Sequence, residues 1–438
     1  MDMNRRLVLF LIALIPAACQ RNEPMAGGKP LSFWKKEATQ VSLMSFWNSD
    51  KDERRRVAFR RLTEIGEPAV PALVDLMRKH GVPVRGDAFN ALANLGPRAA
   101  SAVPELLEML NGDQLEGRRE AAWLLGTIGP AAESAVPSLT PLLQHPDQRL
   151  RDVAARALGQ IGGSGHIALE RAQTSGDVRQ RAASMQGMAA SSLDPASRRA
   201  AVAAGLSDSS AEVRRRAVEL LAVGRDEAEA LAPYLVKALN DPDPAVNRAA
   251  HTAFTVYLQH NGASPRLLAV VLEGGDAAAR ADAAWRLGHE ASERRHASSA
   301  PSAPEVVDAL LDALNDPDPK IRIYSARALA HEEGVPRDKG IQQLRRDMRN
   351  VEPILGVRAA RVLWDATHDL AEVKPLYEAG LADREKWNRV ETISAIGDLG
   401  KHAEVFASQL ERLLSDPDPE VRDRAGKILY AIRAHRAR

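Results

Sequence analysis

Cysteine, aromatic residues and long apolar runs are all scarce in this chain of 438 residues. Cys19 is the only cysteine, which excludes internal disulfides and zinc sites built from several thiolates. Aromatic side chains make up only 4% of the residues, so the core must be built mainly from aliphatic side chains. The apolar run from Leu7 to Ile15 has nine residues, whereas a membrane-spanning helix needs about 20.

A large net charge and short catalytic motifs are also lacking. Lys and Arg number 59 against 58 Asp and Glu, and without residues 1–18, which hold Arg5, Arg6 and Asp2, the counts are 57 and 57. Nucleic-acid-binding proteins usually show a basic footprint, so no nucleic-acid partner is predicted. A glycine-rich phosphate loop, a nucleophile elbow and a His-Glu-x-x-His motif do not occur. We therefore predict no cofactor, no metal site, no catalytic residues and no small-molecule substrate.

The first residues are typical of an export signal. A basic pair precedes the apolar run, which ends at Pro16-Ala17-Ala18-Cys19, so residues 1–18 are predicted to be a signal peptide. This end resembles the lipobox of bacterial lipoproteins, with Pro16 where leucine is usual. The resemblance implies lipidation of Cys19, and Gln20 after it favours the outer over the inner membrane. We expect a lipid-anchored protein of the cell envelope that faces the periplasm; a plain signal peptide is the alternative.

Two segments follow the predicted signal peptide. Residues 19–31 are rich in Pro and Gly and are predicted to be a flexible, lipidated tether. Residues 32–49 contain four of the 13 Phe and Trp residues, namely Phe33, Trp34, Phe46 and Trp47. Because the ends of repeat arrays must be covered, we predict that this segment is an N-terminal cap. A patch that faces the membrane or a partner is the alternative.

The phrase Asp-Pro-Asp-Pro recurs, beginning at Asp241, Asp316 and Asp416, and an Ala-rich stretch with helical spacing follows each copy. Repetition with a period in the thirties predicts an array of helical repeats. In each copy the second Asp is predicted to cap the next helix, and the following Pro suits the first helical position. A more aliphatic helix precedes the turn, so each unit is predicted to contain two antiparallel helices.

One reference position in the second helix of each unit can be followed along the chain. These positions are Arg56, Arg85, Arg118, Arg151, Arg179, Arg214, Asn247, Arg280, Arg322, Arg358, Glu391 and Arg422. Residues 50–438 are thus predicted to form one array of about twelve units. Two spacings between reference positions are long, from Arg280 to Arg322 and from Arg322 to Arg358. Within the first, residues 290–304 are predicted to be a protruding loop. Within the second, residues 337–349 are predicted to be a solvated helix face or, alternatively, an anion-binding patch.

The unit resembles the HEAT repeat, in the short version named after phycobilisome lyases, over roughly residues 50–438. The resemblance implies an all-α fold, an α-solenoid (superhelix) of about twelve two-helix HEAT-like repeats. It also implies a ladder of hydrogen bonds along the stack. The ladder would pair Asp243, Asp318 and Asp418 with Arg248, Arg322 and Arg422. Much of the charge would then be architectural.

A candidate binding surface follows from the reference positions. Five residues beyond each of them, the side chains are varied in type, as expected of a solvent-facing column on the second helices. In HEAT arrays these helices line the concave face. The predicted partner-binding residues are Trp123, Arg156, Trp285 and Arg327. Exposed Trp is enriched at binding hot spots, although each Trp could instead lie flat and fill gaps left by Ala.

Two His-Glu pairs, at His289 and at His331, raise an enzymatic alternative. Deoxyhypusine hydroxylases resemble HEAT proteins and bind two irons through four such pairs, whereas this chain has two, placed after the helix core. Chance pairs at helix ends explain them more simply, and His251 is predicted to be a buried, hydrogen-bonded histidine. A bilin-lyase-like activity would leave no short motif. We therefore predict a non-enzymatic scaffold that binds a protein partner, with an enzyme on a HEAT scaffold as the alternative.

Overall fold

A computed structural model describes residues 23–39, 49–191, 193–223, 227–260, 264–297 and 302–436. Its compact units divide after Val223, with the second beginning at Gly224. The predicted signal peptide, Cys19 and the aromatic residues Phe46 and Trp47 lie outside the described residues. Within the described parts, no helix is both long and apolar enough to cross a bilayer.

The described residues are almost entirely helical. The first unit contains the strands β1 (Met25–Ala26) and β2 (Lys29–Pro30) and the helices α1 (Leu31–Ala38), α2 (Ser49–Ile65), α3 (Val70–Lys79), α4 (Val84–Leu95), α5 (Val103–Leu110), α6 (Leu115–Ile128), α7 (Val136–Leu139), α8 (Gln148–Ile161), α9 (Ser164–Gln173), α10 (Val178–Ala189), α11 (Pro195–Gly205) and α12 (Ala211–Val223). The second unit contains α13 (Ala228–Leu239), α14 (Pro244–His260), α15 (Pro265–Gly274), α16 (Ala277–Ala297), α17 (Pro304–Ala313), α18 (Pro319–Ala330), α19 (Val335–Asn350), α20 (Pro353–Thr367), α21 (Leu370–Leu381), α22 (Lys386–Gly397), α23 (Ala407–Arg412) and α24 (Pro419–Arg436). Short 3-10 segments extend several first helices, for example Gly96–Ala102 before α5.

The predicted all-α solenoid of about twelve helix pairs is confirmed. Each reference position lies on the second helix of a pair, which is an even-numbered helix throughout. Successive second helices pack on one another within each unit, as α6 does on α8 and α16 on α18. The core between them consists mainly of Ala and Leu side chains. Small side chains allow these helices to lie close together.

The Asp-Pro-Asp-Pro phrases form the turns between paired helices, as predicted. The second Asp accepts a backbone N–H near the start of the next helix: Asp243 from Ala245 at 2.8 Å, and Asp318 from Lys320 at 2.8 Å. Pro is the first residue of α14, α18 and α24, where a missing N–H leaves no hydrogen bond unmade. These turns therefore stabilise the start of each second helix.

The ladder along the stack exists, but a different Asp accepts it. Arg322 donates through Nη1 to the carbonyls of Asp316 and Pro317 in its own turn, and through Nη2 to Asp347 of the next repeat at 2.8 Å. Asp316, the first Asp of its phrase, accepts from Arg280 of the preceding repeat at 3.0 Å. The predicted acceptor, Asp318, is wrong: its carboxylate accepts the Lys320 N–H at the start of α18, and Arg322 reaches Asp347 instead.

The predicted pairing of Arg248 with the turn Asp is also wrong. Asn247 takes the ladder position in that repeat, because its Nδ2 donates to the Leu239 carbonyl and to Asp276 at 3.0 Å. His251 reinforces the same joint, with its Nε2 2.8 Å from the Asp276 carboxylate. This histidine is hydrogen-bonded, as predicted, but half-buried instead of buried.

The ladder also corrects three reference positions. Arg181, not Arg179, donates to the turn carbonyls of Ser175 and Gly176 at 3.0 Å, and Arg389, not Glu391, makes the equivalent bonds in its repeat. Counting back the regular spacing of 33 residues from Arg389 places the third reference position at Gly356 instead of Arg358. A Cβ at Gly356 would lie 2.9 Å from the Met348 carbonyl, so no arginine fits there.

Two predicted irregular segments are ordered. Residues 25–30 of the predicted tether form a hairpin, in which Gly27 and Gly28 adopt the positive φ angles of 52° and 74° that its two-residue turn requires. The loop predicted for residues 290–304 is wrong up to residue 297, because α16 continues to Ala297. In the predicted cap, Trp34 donates from Nε1 to the Ala26 carbonyl at 2.9 Å and so joins the hairpin to α1.

Candidate functional site

The second helices present a surface that bears the four predicted binding residues. We call it the second-helix surface; α2 to α12 (even numbers) form it in the first unit and α14 to α24 (even numbers) in the second. Trp123 and Arg156 lie in the first unit, and Trp285 and Arg327 in the second. Each unit therefore carries two of the four residues.

Trp123 is half-buried instead of fully exposed. Its ring lies against Phe89 of α4, with 5.1 Å between ring centroids and an interplanar angle of 47°. Arg156, on α8, is exposed. The Trp123 ring thus packs against an aromatic neighbour, which favours the gap-filling alternative for this residue.

Trp285 differs, because 43% of its surface is exposed. It stacks on His289, one helical turn later, with ring centroids 5.4 Å apart and an interplanar angle of 11°. The stack holds the indole in place, and the residue remains partly exposed to solvent. A large, fixed and exposed aromatic ring is typical of a binding hot spot.

Arg327 is held beside this stack by close packing of α16 and α18. A Cβ at Gly288 would lie 3.0 Å from the Tyr324 carbonyl, so the two helices meet where α16 has no side chain. Arg327 donates from Nε to Ser292 Oγ at 3.2 Å, and Ser292 also contacts His331 Nε2 at 3.0 Å. This contact fixes the Nε atom of the Arg327 guanidinium.

Arg327 also lines a groove of about 490 Å³ across α18, α20 and α22, which we call the Arg327 groove. Its lining residues are Ile323, Tyr324, Arg327, Arg358, Arg361, Val362, Asp365, Glu391 and Asp398. Arg358 pairs with Glu391 at 3.2 Å, and Arg361 pairs with Asp398. The groove is thus lined by both signs of charge, in neighbouring pairs.

Burial changes the acid–base behaviour of this groove. Desolvation raises the pKa of the Asp365 carboxyl above its ordinary value, against the opposing effect of the Arg327 charge. Beneath it, burial raises the pKa of the Tyr377 hydroxyl well above its ordinary value, and the charge of Asp365 adds to the effect. Tyr377 therefore stays neutral, and its buried hydroxyl makes no hydrogen bond to the described residues.

The predicted solvent-facing column holds only in part. Ser184, Leu363 and Ile396 are buried, and these are the three positions counted from the misplaced references. Counted from the corrected references, the same column falls at Gln186, Arg361 and Ser394, which are all partly exposed. In these three repeats the solvent-facing column is therefore found when it is counted from the ladder positions.

The two His-Glu pairs make different contacts. His289 stacks on Trp285, whereas His331 contacts Ser292 and Glu332 accepts from Ser302. Within the described part of the chain, no group of three or more His, Cys, Asp or Glu side chains is placed to hold a metal ion.

Sequence reasoning missed another exposed aromatic residue, Trp387. It is 54% exposed in the first turn of α22, with Lys386 Nζ 4.5 Å from its ring centroid. The sequence offers a signal for this residue, because Trp387 stands two residues before the ladder residue Arg389, at the start of a second helix. Counting from Glu391 instead of Arg389 assigns Trp387 to the wrong position of the repeat.

Comparisons with known proteins agree with this architecture. The family model for HEAT repeats matches residues 103–188 and 199–288. No curated protein matches the chain. Kap121p bound to Pho4p shares 12% identity and a TM-score of 0.54, over 100% of this chain and 55% of Kap121p. For Kap121p bound to Nup53p the values are 12% and 0.54, over 99% and 54%.

The chain thus spans about half the length of Kap121p, and at this identity the likeness concerns the fold alone. The helix pairs, the ladder between their turns and the match of the family model all describe the same repeat. Residues 103–188 and 199–288 are therefore HEAT repeats, within a chain whose fold is an all-α solenoid.

Proposed function

We propose that this protein is an exported, lipid-anchored scaffold without catalytic activity, which binds a protein partner on its second-helix surface. The observation that carries the proposal is Trp285, a stacked and exposed indole beside the Arg327 groove. An aromatic anchor next to paired charges suits an extended polypeptide, whose side chains vary in polarity along its length. Kap121p, with a similar fold, is bound to Pho4p and to Nup53p in the solved structures.

The partner surface is tested by photo-crosslinking in intact cells. A photoreactive residue at Trp285 is expected to form a discrete adduct with one partner, and Arg327→Ala in the same chain is expected to reduce its yield. The matched control carries the same residue at Ile167, which is 50% exposed on the first helix α9. Equal adducts at both positions, or an Arg327→Ala variant with full yield, would contradict the proposed surface.

The anchor is tested separately by Cys19→Ser and cell fractionation. If Cys19 carries the lipid, the variant leaves the membrane fraction, because no described helix provides another membrane-spanning segment. Mass spectrometry of the wild-type N-terminal peptide is expected to show a lipid-modified Cys19. A variant that stays with the membranes, together with an unmodified Cys19, would contradict the anchor while leaving the partner surface untouched.

A further inference from the structure

We propose that a groove between α2 and α4 binds a phosphate-bearing anion. The groove has a volume of about 470 Å³ and lies on the second-helix surface of the first unit. Three arginines, Arg56, Arg60 and Arg98, line it together with the amides of Asn90 and Asn94. The groove uses none of the residues, Trp285 and Arg327, on which the test of the proposed partner surface rests.

The repeat geometry brings these side chains together. Arg56 and Arg60 are four residues apart on α2, and Asn90 and Asn94 are four apart on α4, so each pair shares one helix face. Arg98 comes from the 3-10 segment after α4 and reaches back over the end of α2. Its Nη1 lies 3.7 Å from the place of a Cβ on Gly66, the residue that follows α2.

The carboxylates in the groove are already neutralised from outside it. Asp87 accepts from Arg55 Nε at 2.6 Å, and Glu64 accepts from Arg61 Nη1 at 2.6 Å. Neither Arg55 nor Arg61 lines the groove. The acidic side chains therefore contribute little net charge at the positions where a ligand would lie.

The arginines of the groove are not neutralised in the same way. Among the residues that the structure describes, Arg60 and Arg98 have no ion pair. Arg56 Nη1 lies 3.7 Å from Glu53 Oε2, and both side chains are largely exposed, so the attraction between them is weak. A local excess of positive charge thus stands in a chain whose total charge is close to zero.

Phosphate is the group that fits this arrangement. Guanidinium groups bind phosphate oxygens through parallel N–H donors, and three of them can approach a tetrahedral anion from different sides. The amides of Asn90 and Asn94 add neutral donors. The cavity has the volume of an ordinary small-ligand site, about 300 to 1,000 Å³. The phosphate could be a free anion or the headgroup of an anionic lipid.

The test compares Arg60→Gln/Arg98→Gln with Arg384→Gln/Arg412→Gln, a control that removes the same charge from exposed positions before α22 and at the end of α23. All chains carry Cys19→Ser, so that no attached lipid contributes. Pyrophosphate binding is measured by calorimetry. Co-sedimentation uses vesicles of phosphatidylglycerol and, for comparison, of phosphatidylcholine. Thermal melting verifies that both variants are folded.

We expect the groove variant to lose at least about ten-fold in affinity for pyrophosphate or for phosphatidylglycerol vesicles, while the control keeps its affinity. A loss with pyrophosphate identifies a free anion as the ligand, and a loss with vesicles alone identifies a lipid headgroup. Equal losses in both double variants, or no binding by the parent chain to either probe, would overturn the proposal. Neither result bears on crosslinking from Trp285.

Discussion

At the scale of single residues, arginine has two different uses in this chain. Ladder arginines such as Arg181 are largely buried and donate at once to their own turn and to the next repeat. Others, such as Arg60 and Arg156, remain exposed on the second-helix surface. Identity alone does not distinguish the two, since Arg179 and Arg181 are two residues apart and only the second belongs to the ladder.

Replacing Arg181 with Ala is expected to lower the free energy of unfolding by about 3 kcal/mol, because Asp208 and two turn carbonyls lose their donor in a partly buried site. Arg179→Ala is the matched control. Its side chain is exposed, so the change should stay within about 0.5 kcal/mol. Urea denaturation measures both; a larger effect at Arg179 than at Arg181 would refute the corrected register.

At the scale of helices, close approach depends on glycine at particular joints. A Cβ on Gly159 of α8 would lie 2.1 Å from the Gly187 carbonyl of α10. That distance is shorter than any real contact, so the two helices would have to separate. A Cβ on Gly86, in α4, would have no neighbouring atom of the described residues within 4 Å.

Gly159→Ala is therefore expected to destabilise the fold by about 2 kcal/mol or more, through forced separation of α8 and α10. Gly86→Ala should have the opposite sign and stabilise by about 0.5 to 1 kcal/mol, because alanine restricts the unfolded chain and favours the helix. Thermal and urea unfolding of the two variants provide the comparison. Destabilisation of similar size at both positions would show that helix contact is not the cause.

Much at this scale was predictable from sequence. The period and the turn phrase define which segments are second helices, because Asp and Pro at a helix start have a physical role in any context. The hairpin at residues 25–30 and the extension of α16 are not predictable in this way, because segments rich in Gly, Pro, Ser and Ala are typical of irregular structure. The open face of Trp285 was predicted, whereas the contact between Trp123 and Phe89 depends on packing between repeats that spacing does not specify.

At the scale of the whole molecule, the charge balance predicts how stability depends on pH. Bonds from Lys35 and Lys79 lower the pKa of Asp75 to about 2. The pKa of Asp147 is lowered by the Leu150 N–H and by Arg119, and that of Asp208 is lowered because the bond from Arg181 and its other partners outweigh burial. All three shifts have the same sign, so their effects on stability add.

A carboxylate with a lowered folded-state pKa stabilises the protein above its unfolded pKa, about 3.9 for Asp, and loses this effect as pH falls through the folded value. The contribution of these three groups to the free energy of unfolding should therefore be nearly constant from about pH 7 to 5 and fall from about pH 4 to 2. Asp208→Asn should be less stable than wild type at pH 7, with the difference shrinking toward pH 2. A difference that persists in acid would mean that the charge of Asp208 is not the cause.

The ladder gives a repeat a direction, because its hydrogen-bond acceptor faces the preceding repeat and its donor faces the next one. The repeat that contains Asp316 and Arg322 carries an acceptor on one side and a donor on the other, and both are satisfied by different neighbours. A second copy of this repeat, inserted directly after the first, would present its own acceptor to Arg322 and its own donor onward. The array could thus gain or lose whole repeats without a new type of contact between repeats. Reversing the order of the two helices in one repeat would instead leave its Asp acceptor and its Arg donor without partners.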